Sequence, residues 1–235
     1  MRLTHRFPVK YVVYDDEHWK LLRRLREKAV NLMDAIGRRG LFSITYGSIV
    51  RGDVKLTSDV DVFIPSVVPS HEVELALTEA GYNIVSREVV QATPSYVVKG
   101  YVYVDELTSV SFPLIPMRGD EEAFYSLAGK ASLEELTRGI RKPGINKELM
   151  LVVPTEEGHY ELLIEGNIEE AAKVLSVDPD VLRNRVYVLK RRRELGRTGV
   201  YRSIRIPSEE SFESVLKRLI DTSPPLRRRL KEHGL

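Results

Sequence analysis

Residues 46–64 read Tyr46-Gly47-Ser48-Ile49-Val50-Arg51-Gly52-Asp53-Val54-Lys55-Leu56-Thr57-Ser58-Asp59-Val60-Asp61-Val62-Phe63-Ile64, and the fold turns on this stretch. Its front half is a strand end running into a glycine–serine turn. Its back half alternates acidic and apolar residues. Successive side chains of a strand point to opposite faces, so Asp59 and Asp61 share one face while Val60 and Val62 point into apolar packing. Two neighbouring carboxylates repel each other unless a cation or a shared proton lies between them. Mg2+ suits them, because it prefers oxygen ligands and can bridge carboxylates to phosphates. Upstream, Gly47 lets the backbone approach an anion closely. Ser48 adds a hydroxyl at a helix start, where N–H groups favour phosphate. Arg51, one turn later, can return a guanidinium to the same anion.

Working outward, Lys10 to Tyr14 reads as a strand. His18 to Ile36 reads as a helix with Leu21, Leu22, Leu25, Ala29, Leu32, Met33 and Ile36 on its apolar face. Trp19 on that helix is expected in the core. A strand over 42–46 leads into the turn, and a helix over 70–80 ends at Gly81. Three strand-like stretches follow at 83–90, 95–104 and 108–115, the last two separated by Asp105-Glu106 as a hairpin turn. Residues 121–137 are expected to be helical, and 149–153 with 159–164 form a second hairpin. Strands and helices mixed in this order predict an α/β fold.

The pattern Gly-Ser-x-x-Arg-Gly followed by an apolar-bracketed Asp-x-Asp resembles the nucleotidyltransferase superfamily of DNA polymerase beta, over roughly residues 41–155. The resemblance implies that Asp59 and Asp61 bind Mg2+, and that Gly47, Ser48 and Arg51 hold a nucleoside triphosphate such as ATP, with Lys55 assisting. It further implies an α/β core with a mixed sheet like the polymerase beta palm, and transfer of a nucleoside monophosphate to an acceptor hydroxyl. The family's third carboxylate would fall at Ser111, and serine cannot act as that base. Asp105 at the neighbouring turn is the candidate substitute, with Glu106 beside it.

Charge is uneven along the chain. Residues 1–155 carry 20 Lys/Arg against 20 Asp/Glu, whereas residues 167–206 carry ten against five, a net of +5. Within that basic segment, Ile168 to Val186 reads as two helices joined at Ser176-Val177-Asp178, with Asn167 capping the first and Pro179 opening the second. The segment resembles a helix-turn-helix, with residues 197–206 as the wing of a winged helix. Arg183, Asn184, Tyr187, Lys190 and Arg191 on the second helix are then candidates to contact DNA or RNA. These readings predict a nucleotidyltransferase domain over 1–155 and a winged-helix-like domain with a helical basic tail over 156–235. The Arg227-Arg228-Arg229 run is expected to be a frayed end. The rival reading is a nucleic-acid-binding regulator whose front half binds a nucleotide without turning it over.

Composition narrows the class. Apolar residues make up 43% and charged residues 30%, with no Cys, so disulfides, thiolate nucleophiles and Cys-held metals are excluded. No apolar run is long enough to cross a membrane. The N-terminal residues lead into a short strand rather than a signal-peptide core, so a cytoplasmic protein is expected. The five His show no metal-ligand spacing and are expected at the surface or in loops.

Overall fold

A computed structural model describes residues 9–194 and 200–232. The elements of the first half are β1 (Lys10–Val13), α1 (Asp16–Arg38), β2 (Ile44–Tyr46), α2 (Ser48–Arg51), β3 (Val60–Phe63), α3 (Ser70–Glu79), β4 (Ser86–Gln91), β5 (Val98–Asp105) and β6 (Thr108–Pro113). Then come α4 (Gly119–Ala128), β7 (Lys130–Ser132), α5 (Leu133–Thr137), β8 (Gly144–Ile145), β9 (Met150–Thr155) and β10 (Gly158–Leu163). The last are α6 (Ile168–Leu175), α7 (Pro179–Glu194), β11 (Arg202–Arg205), α8 (Phe212–Thr222) and α9 (Pro224–Glu232). The chain divides into two compact units.

The first unit gathers Met1–Val30, Thr45–Ser58 and Glu122–Thr198. Its sheet, in the order β1-β10-β9-β8, is antiparallel throughout. Leu149, Leu151, Leu162 and Ile164 of the hairpin region pack with Ala171 and Ala172 of α6 and with Leu182, Val186 and Leu189 of α7. The two basic-segment helices therefore bury their inner face on this sheet. Ser176, at φ 52°, ends α6 in the left-handed region. Asn167 holds the N-cap position, but its Nδ2 donates to the Leu163 carbonyl at 2.9 Å and ties the helix start to β10 instead of capping it.

The expected helix over 121–137 is interrupted at Gly129. Its φ is 78°, and an added Cβ would stand 2.9 Å from the Pro143 carbonyl oxygen. The chain restarts as β7 and α5, the latter opened by a capping box between Ser132 and Glu135. His159 is not at the surface: it is 4% exposed, with Nδ1 2.6 Å from the Tyr14 hydroxyl. A single alternating strand pattern could not reveal that its neighbours would enclose it. His5 and His233 lie outside the described residues.

The second unit gathers Asn31–Ile44, Asp59–Glu121 and Gly199–Leu235. Its strands run β11-β4-β5-β6-β3, with β3 parallel to β6 and the other pairs antiparallel, which makes the sheet mixed. One face is apolar, carrying the buried residues Val62, Val110, Phe112, Val102 and Val89. Phe212 of α8 meets Phe112 edge-on at 5.2 Å, and Gly100 leaves the room for both, since a Cβ there would lie 2.7 Å from Phe112 and 2.9 Å from Phe212. Glu213 of α8 accepts from the Ser70 amide at 2.9 Å and hydroxyl at 2.8 Å, fastening α8 to the start of α3.

Two expectations for the C-terminal region change here. Arg202–Arg205 is not a wing beside the helix pair but an edge strand, antiparallel to β4 with Ile204 opposite Val89. Residues 197–199 of the expected wing lie outside the described residues. The basic tail does not fray at Arg229, whose side chain is 1% exposed. It makes a bidentate pair with Glu121, at 2.6 Å for each bond, and donates to the Ser95 and Pro116 carbonyls at 2.9 and 2.7 Å. Glu121 also accepts from the Val97 and Arg118 amides at 2.7 and 2.8 Å. Burial works against its charge, yet these bonds keep its carboxyl below the usual value of 4.5.

Removing one partner of such a pair strands a buried charge, so Arg229→Met is expected to cost about 3–5 kcal/mol in a urea titration. Arg228→Met, one position away, should leave the midpoint nearly unchanged. A second expectation concerns His159, whose imidazole is held by burial below its ordinary value of 6.5. The native state keeps it neutral, so the unfolded chain protonates first. Stability is therefore lost as pH falls through 6.5. Melting temperatures followed downward from pH 7.5 should decline less steeply in His159→Gln than in the unaltered chain.

Candidate functional site

The glycine–serine turn belongs to the first unit. Gly47 has φ 86° and ψ −147°, a region essentially reserved for glycine, and no atom lies within 4 Å of where its Cβ would stand. The space over this turn is open. The Gly47 amide donates to the Gly129 carbonyl at 3.0 Å, and its own carbonyl accepts from the Val50 and Arg51 amides, each at 3.1 Å. The Ser48 hydroxyl donates to Ser58 Oγ at 3.2 Å, which in turn accepts from the Lys55 amide at 2.8 Å. Lys55 itself is exposed.

Arg51 is placed differently from the expectation. Its guanidinium turns inward, pairing with Asp53 through Nε at 2.9 Å and Nη2 at 3.0 Å. Nη1 donates to the carbonyls of Ala128 at 2.7 Å and Ile145 at 3.5 Å. All three nitrogens are thus committed within the unit, and the side chain braces the turn from below. Behind it, His18 Nε2 donates to the Gly52 carbonyl at 2.7 Å while the ring stacks on Tyr14 at 3.7 Å. Trp19, half-buried, carries the Arg141 guanidinium over its ring at 4.8 Å. Burial, reinforced by the Asp53 charge, pushes the Tyr14 phenol well above its usual range.

The paired aspartates belong to the second unit. Asp61 is half-buried on β3, and Asp59 is exposed just before that strand. The parallel register sets Asp61 beside Ser109 and Phe63 beside Ser111, and β5 continues these two rows with Tyr103 and Tyr101. The Ser109 hydroxyl donates to Asp61 Oδ1 at 2.8 Å. The strand neighbour of Asp61 is therefore Ser109, two residues before the position that the family resemblance implies, and it too is a hydroxyl. A bulge between Tyr103 and Asp105 takes Asp105 out of the alternation that aligns Tyr103 with Asp61. Asp105 Oδ1 accepts from the Leu107 amide at 2.9 Å and holds the hairpin turn.

Sequence reasoning missed Ser109, Tyr103 and Lys99 on this face. Lys99, Tyr101 and Tyr103 alternate with Val98, Gly100 and Val102, so the two-residue period was visible, but not which strands would flank it. Tyr101 and Tyr103 lie nearly parallel, with ring centroids 6.1 Å apart and planes at 17°. The Lys99 ammonium lies 5.2 Å from the centre of the Phe63 ring. Burial lowers it to about 8, against the pull of Glu121 and Asp61. Burial, then Glu88, Asp61 and Asp59, raise the Tyr103 phenol.

On α7, Arg183, Asn184, Tyr187 and Arg191 are exposed and Lys190 is partly so, in the spacing of one helix face. Arg183 is paired with Asp180 and Glu169, and Lys190 with Glu165. Local carboxylates thus offset part of the positive charge that the sequence suggests.

Among the described residues, no group of three or more His, Asp or Glu is arranged to hold a metal ion. Asp59, just before β3, and Asp61 on it both offer oxygen ligands, which suit a hard cation completed by phosphate oxygens and water. No helix of the described residues is long and apolar enough to cross a membrane. Residues 12–111 match the family described as nucleotidyltransferase domain. No curated protein and no solved structure showed a significant match to the chain. The matched span holds both the Gly47-Ser48 turn and the Asp59-Val60-Asp61 segment, and it is this part of the chain that is similar to the nucleotidyltransferase domain family.

Proposed function

We propose that this chain moves a nucleoside monophosphate from a nucleoside triphosphate onto an acceptor hydroxyl, with Mg2+ as the metal. The observation that carries this reading is Asp61, half-buried on β3 with Ser109 hydrogen-bonded to it, inside the span that matches the nucleotidyltransferase domain. In the reaction the acceptor oxygen bonds to the α-phosphorus and the α–β bridging P–O bond breaks. Pyrophosphate leaves with the electron pair, and the hydroxyl proton passes to water. When bound, Mg2+ lowers the pKa of the acceptor hydroxyl and offsets charge on the phosphates. Asp59 and Asp61 hold it, and Ser109 orients the Asp61 carboxylate. Gly47 presents backbone to the triphosphate, Ser48 a hydroxyl and Lys55 an ammonium. Arg51 shapes that turn rather than touching phosphate, and Asp105 forms the β5–β6 turn rather than acting as a third carboxylate.

A second reading draws on the hydroxyls at both Ser109 and Ser111, where a catalytic acid would belong: a nucleotide sensor without turnover. Incubation with Mg2+, labelled triphosphates and nucleic-acid or protein acceptors separates the two. Pyrophosphate release supports transfer, and saturable binding without release supports the sensor. Asp61→Asn removes a ligand charge while nearly keeping the shape of the side chain. It is expected to reduce pyrophosphate release at least about 100-fold, on the order of 2.7 kcal/mol in the barrier, with an unchanged melting temperature. Asp59→Asn should behave alike, and full activity in either variant across a range of Mg2+ concentrations would remove the metal assignment.

DNA or RNA is the partner proposed for the α7 face, through Arg183, Asn184, Tyr187, Lys190 and Arg191. Affinity for a short single-stranded oligonucleotide should fall as salt rises. Arg183→Ala should weaken it about tenfold, the equivalent of about 1.4 kcal/mol. Binding that ignores both salt and the Arg183 change would leave α6 and α7 as packing helices only.

A further inference from the structure

We infer that His18 is a positioning residue for the Gly47-Ser48 turn. From the first turn of α1 it holds the Gly52 carbonyl, and through Gly52 it sets where the Gly47 backbone and the Ser48 hydroxyl stand. The inference rests on the triphosphate binding proposed above for that turn, with or without transfer. Between Gly47 and Gly52 the backbone closes one turn on itself. The Gly47 carbonyl accepts from the Val50 and Arg51 amides, and the Gly52 amide donates to the Ser48 carbonyl at 2.7 Å. A displacement of the Gly52 peptide is therefore passed directly to Ser48.

Gly52 has φ 112°, in the region that favours glycine, and it sits against a crowded floor. A Cβ there would stand 3.0 Å from the Tyr14 hydroxyl oxygen and 3.1 Å from Arg141 Nη1. That floor is itself fixed. The Tyr14 hydroxyl lies 2.6 Å from His159 Nδ1, and Arg141 Nη1 donates to the Gly158 carbonyl at 2.7 Å. Steric contact of this kind resists approach but gives no tether. The tether is His18 Nε2–H, which donates to the Gly52 carbonyl at 2.7 Å. The Val54 amide shares that carbonyl at 2.8 Å, but it lies two residues on and moves with it. The imidazole is held in turn by its stack on Tyr14 at 3.7 Å, and the His18 amide donates to Asp15 Oδ1 at 2.8 Å. Arg51 braces the middle of the turn through Asp53 and the Ala128 carbonyl, whereas His18 ties its end to α1.

The test compares His18→Gln with His18→Asn in the full chain. It reads equilibrium binding of a non-hydrolysable ATP analogue with Mg2+, the KM and kcat of pyrophosphate release, and the melting temperature. Both substitutions remove the ring stack on Tyr14. The glutamine amide nitrogen reaches about as far as Nε2, whereas that of asparagine reaches only as far as Nδ1 and falls short of the Gly52 carbonyl. His18→Gln should bind the analogue as the unaltered chain does. His18→Asn should weaken binding about tenfold, as the loss of one hydrogen bond allows, and raise KM while kcat and the melting temperature stay nearly unchanged. A lower melting temperature with affinity and KM unmoved in His18→Asn would make the role merely structural and overturn the inference. Affinity lost equally in a folded His18→Gln would overturn it too, so either variant decides if the other does not fold. Both results leave the proposed function in place, and no binding of the analogue to the unaltered chain would remove that reading together with the inference.

Discussion

The parallel pairing of β3 with β6 is the constraint on which the site in the second unit depends. Val60, Val62, Val110 and Phe112 are all essentially buried, and every one of them would turn to the opposite face if the register slipped by a single residue. Burial of that apolar face therefore dictates which groups meet on the other face. Asp61 must lie beside Ser109, and Tyr103 must continue the row. The chemistry of the polar face is thus specified by hydrophobic packing behind it, with no attraction needed between the aspartate and its neighbours.

A buried ion pair holds the same unit from another side. Glu121 gathers the Arg229 guanidinium and the amides of Val97 and Arg118, which joins the approach to β5, the start of α4 and the C-terminal helix α9 through one carboxylate. Buried charge is costly to desolvate, and here nearly all of its bonding capacity is used. Arg51 with Asp53 plays a comparable part in the first unit, where a guanidinium braces the Gly47-Ser48 turn against the carbonyl of Ala128. In both places an arginine that sequence reading would assign to solvent or to a ligand is an internal strut.

Much of the element order was legible because burial imposes strong periods. The α1 pattern of leucines and the alternation in Val60-Asp61-Val62-Phe63 leave little freedom. The acidic pair and the Gly47-Ser48 turn stood out because apolar neighbours bracket them. What stayed hidden depended on distant partners. Nothing local in Arg227-Arg228-Arg229 distinguishes the residue that meets Glu121 from two that do not. Residues 202–205 look like any short polar-apolar alternation, and only the free edge of β4 makes them a strand. Ser109 could not be told from Ser111, since both share a face and the parallel register alone selects one. The helix break at Gly129 was missed because a glycine in a helical pattern is tolerated until a neighbouring backbone, here the Pro143 carbonyl, crowds it.

The edge strand β11 carries a consequence for how the molecule is made. The second unit is assembled from three separated stretches of chain, and its last strand and helices α8 and α9 come from the stretch beginning at Gly199. During synthesis the β4 edge and the pocket for Phe212 must wait until that stretch has emerged, whereas the β9–β10 hairpin can pair as soon as its own few residues are free. Contacts so far apart in sequence slow the closing step and leave an unpaired edge open to other chains in the meantime. The first unit has a long-range closure of its own, since β1 must wait for β10, but its β9–β10 hairpin is local. The β4 edge is covered once β11 pairs with it, and the Arg229–Glu121 latch, from the still later α9, forms among the last contacts.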